Sequence, residues 1–180
     1  ATPERMDNKD VFAICDYNVA YEIRLKEAIE KDILCPYRYY GIYDNTVDYD
    51  SIDYSRGKYN ETQLEKALSK KERADLVYNH YRKFDSKRAL GFCTSKIHAE
   101  YMAEYFAEQG VKAVAVYSGG KCNRNEAIEK LASGEISVIF SIDMFNEGLD
   151  IPSIDMVMFL RPTESSTVFL QQLGRGLRKS

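Results

Sequence analysis

Arg175 and Arg178 lie near the end of the chain in the segment QQLGRGLR, residues 171–178. They are three positions apart, each reached through glycine, at the end of a stretch that reads as a helix. An i, i+3 spacing puts both guanidiniums on one helix side. Paired guanidiniums suit the charge that develops on a phosphoryl group in transfer.

Such a site also needs a cradle for the nucleotide. A phosphate-binding loop has the form G-x-x-x-x-G-K-[ST] between a strand and a helix. Gly120-Lys121 is followed by Cys122 and preceded by Ala115 where the first glycine belongs, so the pattern fails at both ends. No G-x-G-x-x-G follows any strand, which disfavours a dinucleotide enzyme. Neither G-x-S-x-G nor a Cys–His pair in a hydrolase context occurs. Asp143 closes an apolar strand without an adjacent glutamate, a poor match to a metal-binding pair. The chain therefore reads as one half of an ATP-hydrolysing site, the remainder being built elsewhere.

A length of 180 residues suggests one domain, with room for an appendage. A chain of this size buries roughly 70% of its unfolded surface. Its hydrophobic fraction of 44%, charged fraction of 29% and net charge of −3 are those of a soluble globular protein. The charge gives no basic surplus, so any nucleic-acid contact has to be local or shared with another domain. Cys15, Cys35, Cys93 and Cys122 form no C-x-x-C pair, and His80 and His98 stand apart from them. No metal site is expected; buried free thiols in a reducing cytoplasm are. No apolar run is long enough to span a membrane. The opening ATPERMDNKD is too polar for a signal peptide. Lacking an initiator methionine, it is expected to be the start of a cut fragment.

The elements that position these residues fall into two regions. In the first, Val19 to Lys31 reads as a helix. A tyrosine-rich stretch follows (Tyr37, Tyr39, Tyr40, Tyr43, Tyr49, Tyr54 and Tyr59), within which Arg38 to Tyr43 could form a strand. Tyrosines can stack on bases, but Asp44, Asp48, Asp50 and Asp53 would repel phosphates, so packing or domain contact is the favoured reading. Glu61 to Phe84 reads as two charged surface helices.

From residue 88 the rhythm changes. Strands are expected at Arg88–Cys93, Val111–Val116, Ile136–Phe140 and Ile154–Leu160. Between them, Ser95 caps a helix reaching Gln109, with Ile97, Tyr101 and Tyr105 on one stripe and Gly110 beyond its end. Asn123 and Glu126 have capping-box spacing before a helix that buries Ala127, Ile128 and Leu131 and stops at Gly134. A last helix is expected over about Glu164 to Leu173. Apolar strands alternating with helices argue an α/β fold, a parallel sheet with helices on both faces. Ligands of such sheets gather at the carboxyl ends of the strands. There lie Thr94-Ser95-Lys96, Ser118-Gly119-Gly120 and the segment from Asp143 to Pro152. In FNEGLDIP, residues 145–152, Gly148 would let backbone approach a ligand and Asp150 could accept from a ribose hydroxyl; an ordinary loop with a turn glycine explains them equally well.

These residues resemble a family. FNEGLDIP is similar to motif V of superfamily 2 helicases, and QQLGRGLR to their motif VI, in order and at the expected distance. GFCTS, residues 91–95, resembles motif IV, and the opening ATPER resembles a motif III with its first residue missing. The resemblance is nearest to DEAD/DEAH-box-like helicases of the type III restriction subunit group. It implies a RecA-like parallel sheet preceded by a helical, tyrosine-rich extension. Residues 1–10 would be the tail of a first RecA-like domain, 11–87 a connecting segment and 88–180 the helicase C-terminal core.

The resemblance also implies roles. Arg175 and Arg178 would reach the phosphates of ATP held, with Mg2+, by a first RecA-like domain. Gln171, Gly148 and Asp150 would face the nucleotide. Ser95, Lys96, Ser118, Gly119 and Asp143 would touch a DNA or RNA backbone. Three positions depart from the pattern. Ile142 replaces a threonine that bonds a phosphate, Glu147 replaces an arginine, and Ser118 replaces a common histidine. The function implied is that of the C-terminal half of an ATP-dependent helicase or translocase, inactive alone and not membrane-bound. A non-enzymatic nucleic-acid-binding or protein-interaction module on the same fold is the alternative. For Ser95 a plain helix cap, and for Lys96 a solvated first-turn residue, stand beside the functional readings.

Overall fold

The computed structural model describes residues 25–142 and 154–162. Helix α1 (Leu25–Glu30) falls within the span Val19–Lys31 where a helix is expected, of which residues 19–24 lie outside the described residues. The tyrosine-rich stretch then runs without regular structure to a single 3-10 turn at Tyr49–Ser51. The strand expected at Arg38–Tyr43 does not form. Tyr39, Tyr40, Ile42 and Tyr43 are all exposed, so no face of the segment is buried deeply enough to hold a strand in register. A short antiparallel hairpin follows, with β1 (Tyr54–Ser55) and β2 (Lys58–Tyr59) joined through Arg56 and Gly57. Both turn residues have positive φ, which suits a two-residue hairpin loop.

Helices α2 (Glu61–Leu68) and α3 (Lys71–Tyr81) are the two expected in the charged region. Asn60 caps α2 by accepting from the Gln63 N–H. Leu64 and Leu68 close a small core with Val47 and Ile52 beneath the extension. Helix α3 is more than a surface helix: Ala74 and Tyr81 enter the main core.

Among the described residues the main sheet has four parallel strands, β3 (Ala89–Phe92), β4 (Ala113–Val116), β5 (Val138–Ser141) and β6 (Met156–Phe159), in the order β4-β5-β3-β6. Their side chains alternate between two cores. Ala89, Val138 and Phe140 pack with Met102, Phe106 and Ala74, on the face covered by α3 and α4 (Lys96–Glu108). Leu90, Phe92 and Ile139 pack with Ala127 and Leu131 of α5 (Arg124–Ser133) on the other face. This is the RecA-like α/β arrangement, with helices on both faces of the sheet.

In α4 the buried face is His98, Ala99, Met102, Ala103, Tyr105 and Phe106, rather than the expected Ile97, Tyr101, Tyr105 stripe. Ile97 is 58% exposed. The sheet selects the side carrying both Met102 and Phe106, which fill more of its surface than Ile97 would. Helix α5 starts as expected: the Asn123 side chain accepts from the Glu126 N–H at 2.9 Å, and the Glu126 carboxylate takes the Asn123 N–H in return. It ends at Gly134 with left-handed backbone. Gly91 has a different reason to be glycine. A Cβ there would lie 2.6 Å from Cδ1 of Phe140, its partner on β5. The missing side chain leaves room for that ring, which meets Phe106 edge-on at 5.0 Å between centroids.

The amino end of the sheet is closed by Asp155. Its carboxylate accepts from the Ser86 hydroxyl and from the Lys87 and Arg88 N–H groups, joining the approaches to β3 and β6.

Candidate nucleic-acid interface

Because the four strands are parallel, their carboxyl ends share one edge of the sheet. Strand β3 leads into Cys93–Lys96, and β4 into Tyr117–Gly120. Strand β5 ends two residues before Asp143, and β6 leads into Leu160, Arg161 and Pro162. Ser95, Lys96, Ser118 and Gly119 are thus at one edge. Asp143, Gly148, Asp150, Gln171, Arg175 and Arg178, the helix expected over Glu164–Leu173 and the opening ATPER lie outside the described residues.

Ser95 is the N-cap of α4, its Oγ accepting from the His98 N–H at 3.1 Å. The capping role expected of it is therefore present. Lys96, first residue of the helix, extends its Nζ over the Tyr117 ring, 5.5 Å from the centroid. The Tyr117 hydroxyl donates to the Glu100 carboxylate. That hydrogen bond, reinforced by desolvation and the carboxylate's charge, raises the Tyr117 pKa. Ser118 and Gly119 follow on an exposed turn closed by the Gly120 N–H bonding to the Tyr117 carbonyl, with Gly119 at φ +82°. Lys96 and the Ser118–Gly119 loop thus meet through Tyr117, which lay outside the sequence-derived set although it adjoins Ser118.

Beneath this edge lies a buried polar group. Thr94 donates its N–H to Nδ1 of His98 at 3.3 Å, which puts the imidazole proton on Nε2. Among the described residues Nε2 has no hydrogen-bond partner. Burial first, and the Arg73 charge second, push the His98 pKa down to about 3, so the ring is neutral at physiological pH. Arg73 is itself buried. Its Nε donates to Asp44 Oδ2 at 2.8 Å and its Nη2 to the Leu160 carbonyl at 2.9 Å. Burial opposes the charge on Asp44, but hydrogen bonds from the Thr46 hydroxyl and N–H and from Arg73 outweigh it and lower the pKa. Cys93 is fully buried, and burial pushes its thiol pKa up, against any nucleophilic role. Cys35 and Cys122 are only half-buried, which departs from the expectation of buried thiols throughout.

The tyrosines of the extension divide. Tyr40 meets Phe84 at 4.9 Å, and Tyr59 meets Tyr49 and Tyr54 at 6.0 and 4.9 Å. Tyr39 and Tyr43 nevertheless remain 67% and 88% exposed, so packing within the chain accounts for only part of the cluster. A groove of 730 Å³ lies between this stretch, α3 and β6, away from Ser95 and Lys96.

Sequence comparison agrees with this architecture. The helicase conserved C-terminal domain family matches residues 71–180. The chain belongs to that family. It is 28% identical to a 51.5 kDa protein of a Lactococcus phage over 99% of this chain and 39% of the relative. It is also 28% identical to IRC3 of Saccharomyces cerevisiae over 99% of this chain and 26% of that protein. The chain therefore spans well under half the length of these two relatives. Among solved structures, an HsdR subunit fragment of a type I restriction enzyme from Vibrio vulnificus superposes with a TM-score of 0.69 at 22% identity. That match covers 99% of this chain and 35% of the other. The C-terminal domain of the DEAD-box protein Dbp5 gives 0.52 at 18% identity, covering 59% of this chain and 63% of that one. At these identities the structural likeness is one of fold.

Proposed function

We propose that this chain is the half of an ATP-driven helicase or translocase that completes, rather than holds, the nucleotide site. Arg175 and Arg178 act as fingers on the phosphates of ATP bound by a first RecA-like domain of the same protein, with Gln171, Gly148 and Asp150 facing the nucleotide. Such an arginine is worth about 10³–10⁵ in rate where measured. Among the described residues no three His, Cys, Asp or Glu side chains cluster to hold a cation. In this reading Mg2+ and most of the ATP contacts belong to the first domain, and residues 11–87 connect the two.

The observation that best supports the reading is the shared carboxyl edge of the sheet, from which the segments bearing Ser95, Lys96, Ser118 and Gly119 and those leading to Asp143 and the two arginines all depart. There Ser95, Lys96, Ser118, Gly119 and Asp143 hold a DNA or RNA backbone, positioning a strand without reading its sequence. Within the superfamily we place the protein near the restriction-subunit helicases.

The test uses the complete protein that carries this domain. Arg178→Ala should abolish nucleic-acid-stimulated turnover while ATP binding persists. Normal turnover in that variant removes the finger assignment. Turnover by the 180-residue chain alone removes the division of labour.

A further inference from the structure

Lys96 and Glu100 are one helical turn apart on α4, so their side chains lie on one face. That spacing yields ion pairs between Lys26 and Glu30, Glu27 and Lys31, and Glu126 and Lys130, though not between Lys71 and Asp75 of α3, where the carboxylate accepts from the Tyr105 hydroxyl. Lys96 and Glu100 do not pair. The carboxylate takes the Tyr117 hydroxyl instead, and the ammonium lies over the same tyrosine's ring. The ring is held from the loop side as well. A Cβ on Gly120 would lie 3.1 Å from the ring carbon Cε2.

We propose that Tyr117 is a positioning residue for nucleic-acid binding, a wedge that keeps Glu100 from neutralising Lys96 and holds the lysine charge beside the Ser118–Gly119 loop. The inference rests on the reading of Lys96 as a backbone contact. A carboxylate one turn away would otherwise compete with every phosphate for that ammonium. By giving Glu100 a hydroxyl donor, Tyr117 occupies the competitor. By offering Lys96 an aromatic face, it holds the cation through a contact without a formal charge, which a phosphate can displace or share. The hydroxyl and the ring thus have separate tasks, and a Phe substitution removes only the first.

The experiment measures binding of the 180-residue chain to a fluorescent oligothymidylate across a salt series. Lys96→Ala should weaken binding and make the log–log salt slope shallower by about 0.7, one single-strand phosphate contact. Tyr117→Phe should reproduce that loss, because Glu100 is released onto Lys96. Adding Glu100→Gln to Tyr117→Phe should restore the parent slope. A Tyr117→Phe protein with the parent slope, beside a Lys96→Ala protein that has lost it, overturns the wedge and leaves the reading of Lys96 standing. An unchanged slope in Lys96→Ala overturns the reading of Lys96 itself. The geometry has its own readout: NMR should show the Lys96 ε-methylene protons shifted upfield by the Tyr117 ring, and Tyr117→Leu, which removes the ring, should abolish that shift. Retention of the shift in Tyr117→Leu overturns the placement of Lys96 over that ring independently of any binding result.

Discussion

Arg73 and Asp44, twenty-nine residues apart, form a largely buried ion pair of 2.8 Å, and the same guanidinium donates to the Leu160 carbonyl at the end of β6. One side chain on α3 therefore joins the tyrosine-rich extension to the carboxyl edge of the sheet. Removing one partner of such a pair leaves a buried charge uncompensated. Arg73→Ala should cost about 3–5 kcal/mol in denaturant unfolding. In a double-mutant cycle with Asp44→Ala, the two losses should fall well short of additive. Additive losses would show that the extension is not tied to the sheet through this contact.

Gly91→Ala places a methyl group against Phe140, whose ring is already wedged against Phe106. The expected loss is about 1–3 kcal/mol from overpacking, read as a lower denaturation midpoint at unchanged slope. Phe140→Leu should relieve part of it, so the double variant should be more stable than the sum of the two single losses. A neutral Gly91→Ala would mean that β3 and β5 separate more easily than their packing suggests.

His98 sets a pH dependence with a definite sign. Its folded pKa of about 3 lies below the ordinary value of 6.5. Above pH 6.5 the ring is neutral folded or unfolded, and its contribution is fully present. As pH falls below that value the unfolded chain takes up a proton that the folded one refuses, and stability declines until the folded pKa is reached. Between pH 7 and pH 5 the decline should be about 2 kcal/mol, from the 1.36 kcal/mol attached to each pH unit below 6.5. His98→Asn, which keeps an acceptor near the Thr94 N–H, should flatten that portion of the curve. An unchanged slope in the variant would assign the acid sensitivity to other groups.

Ser95 has two roles to separate. Its loss as a cap should appear in stability alone: Ser95→Ala about 1 kcal/mol, Ser95→Gly only a few tenths. A contact to a nucleic-acid backbone would weaken oligonucleotide binding in both variants equally, whatever their stabilities. Thermal melts and binding curves on the same two proteins distinguish the roles. Affinity that follows stability instead would reduce Ser95 to a cap.

Much of the fold was legible because its signals are local. Valine and isoleucine runs bounded by Ser95, Asn123, Gly110 and Gly134 specify strands and helix ends by themselves, since capping and apolar periodicity act within a turn or two of chain. The carboxyl-edge residues were legible for a related reason: in a parallel sheet, strand direction alone says where Ser95, Lys96, Ser118 and Gly119 must lie. The face that α4 buries was not legible, because Ile97 and Met102 are both apolar and only the sheet beneath chooses between them. The irregular path of Arg38–Tyr43 was not legible either, because tyrosines favour extended chain but burial decides whether it pairs.

The amino-acid sequence by itself determined a parallel α/β domain with its polar segments at the strand ends, and the family to which those segments belong. Only the tertiary structure decided the company each residue keeps. Tyr117 stands between Lys96 and Glu100, Arg73 reaches across from α3 to Asp44 and Leu160, His98 is neutral, and Gly91 is empty so that Phe140 can fit. Each depends on segments distant in the chain or on a side chain's choice among competing partners. Burial and packing settle that choice, because both act through space rather than along the chain.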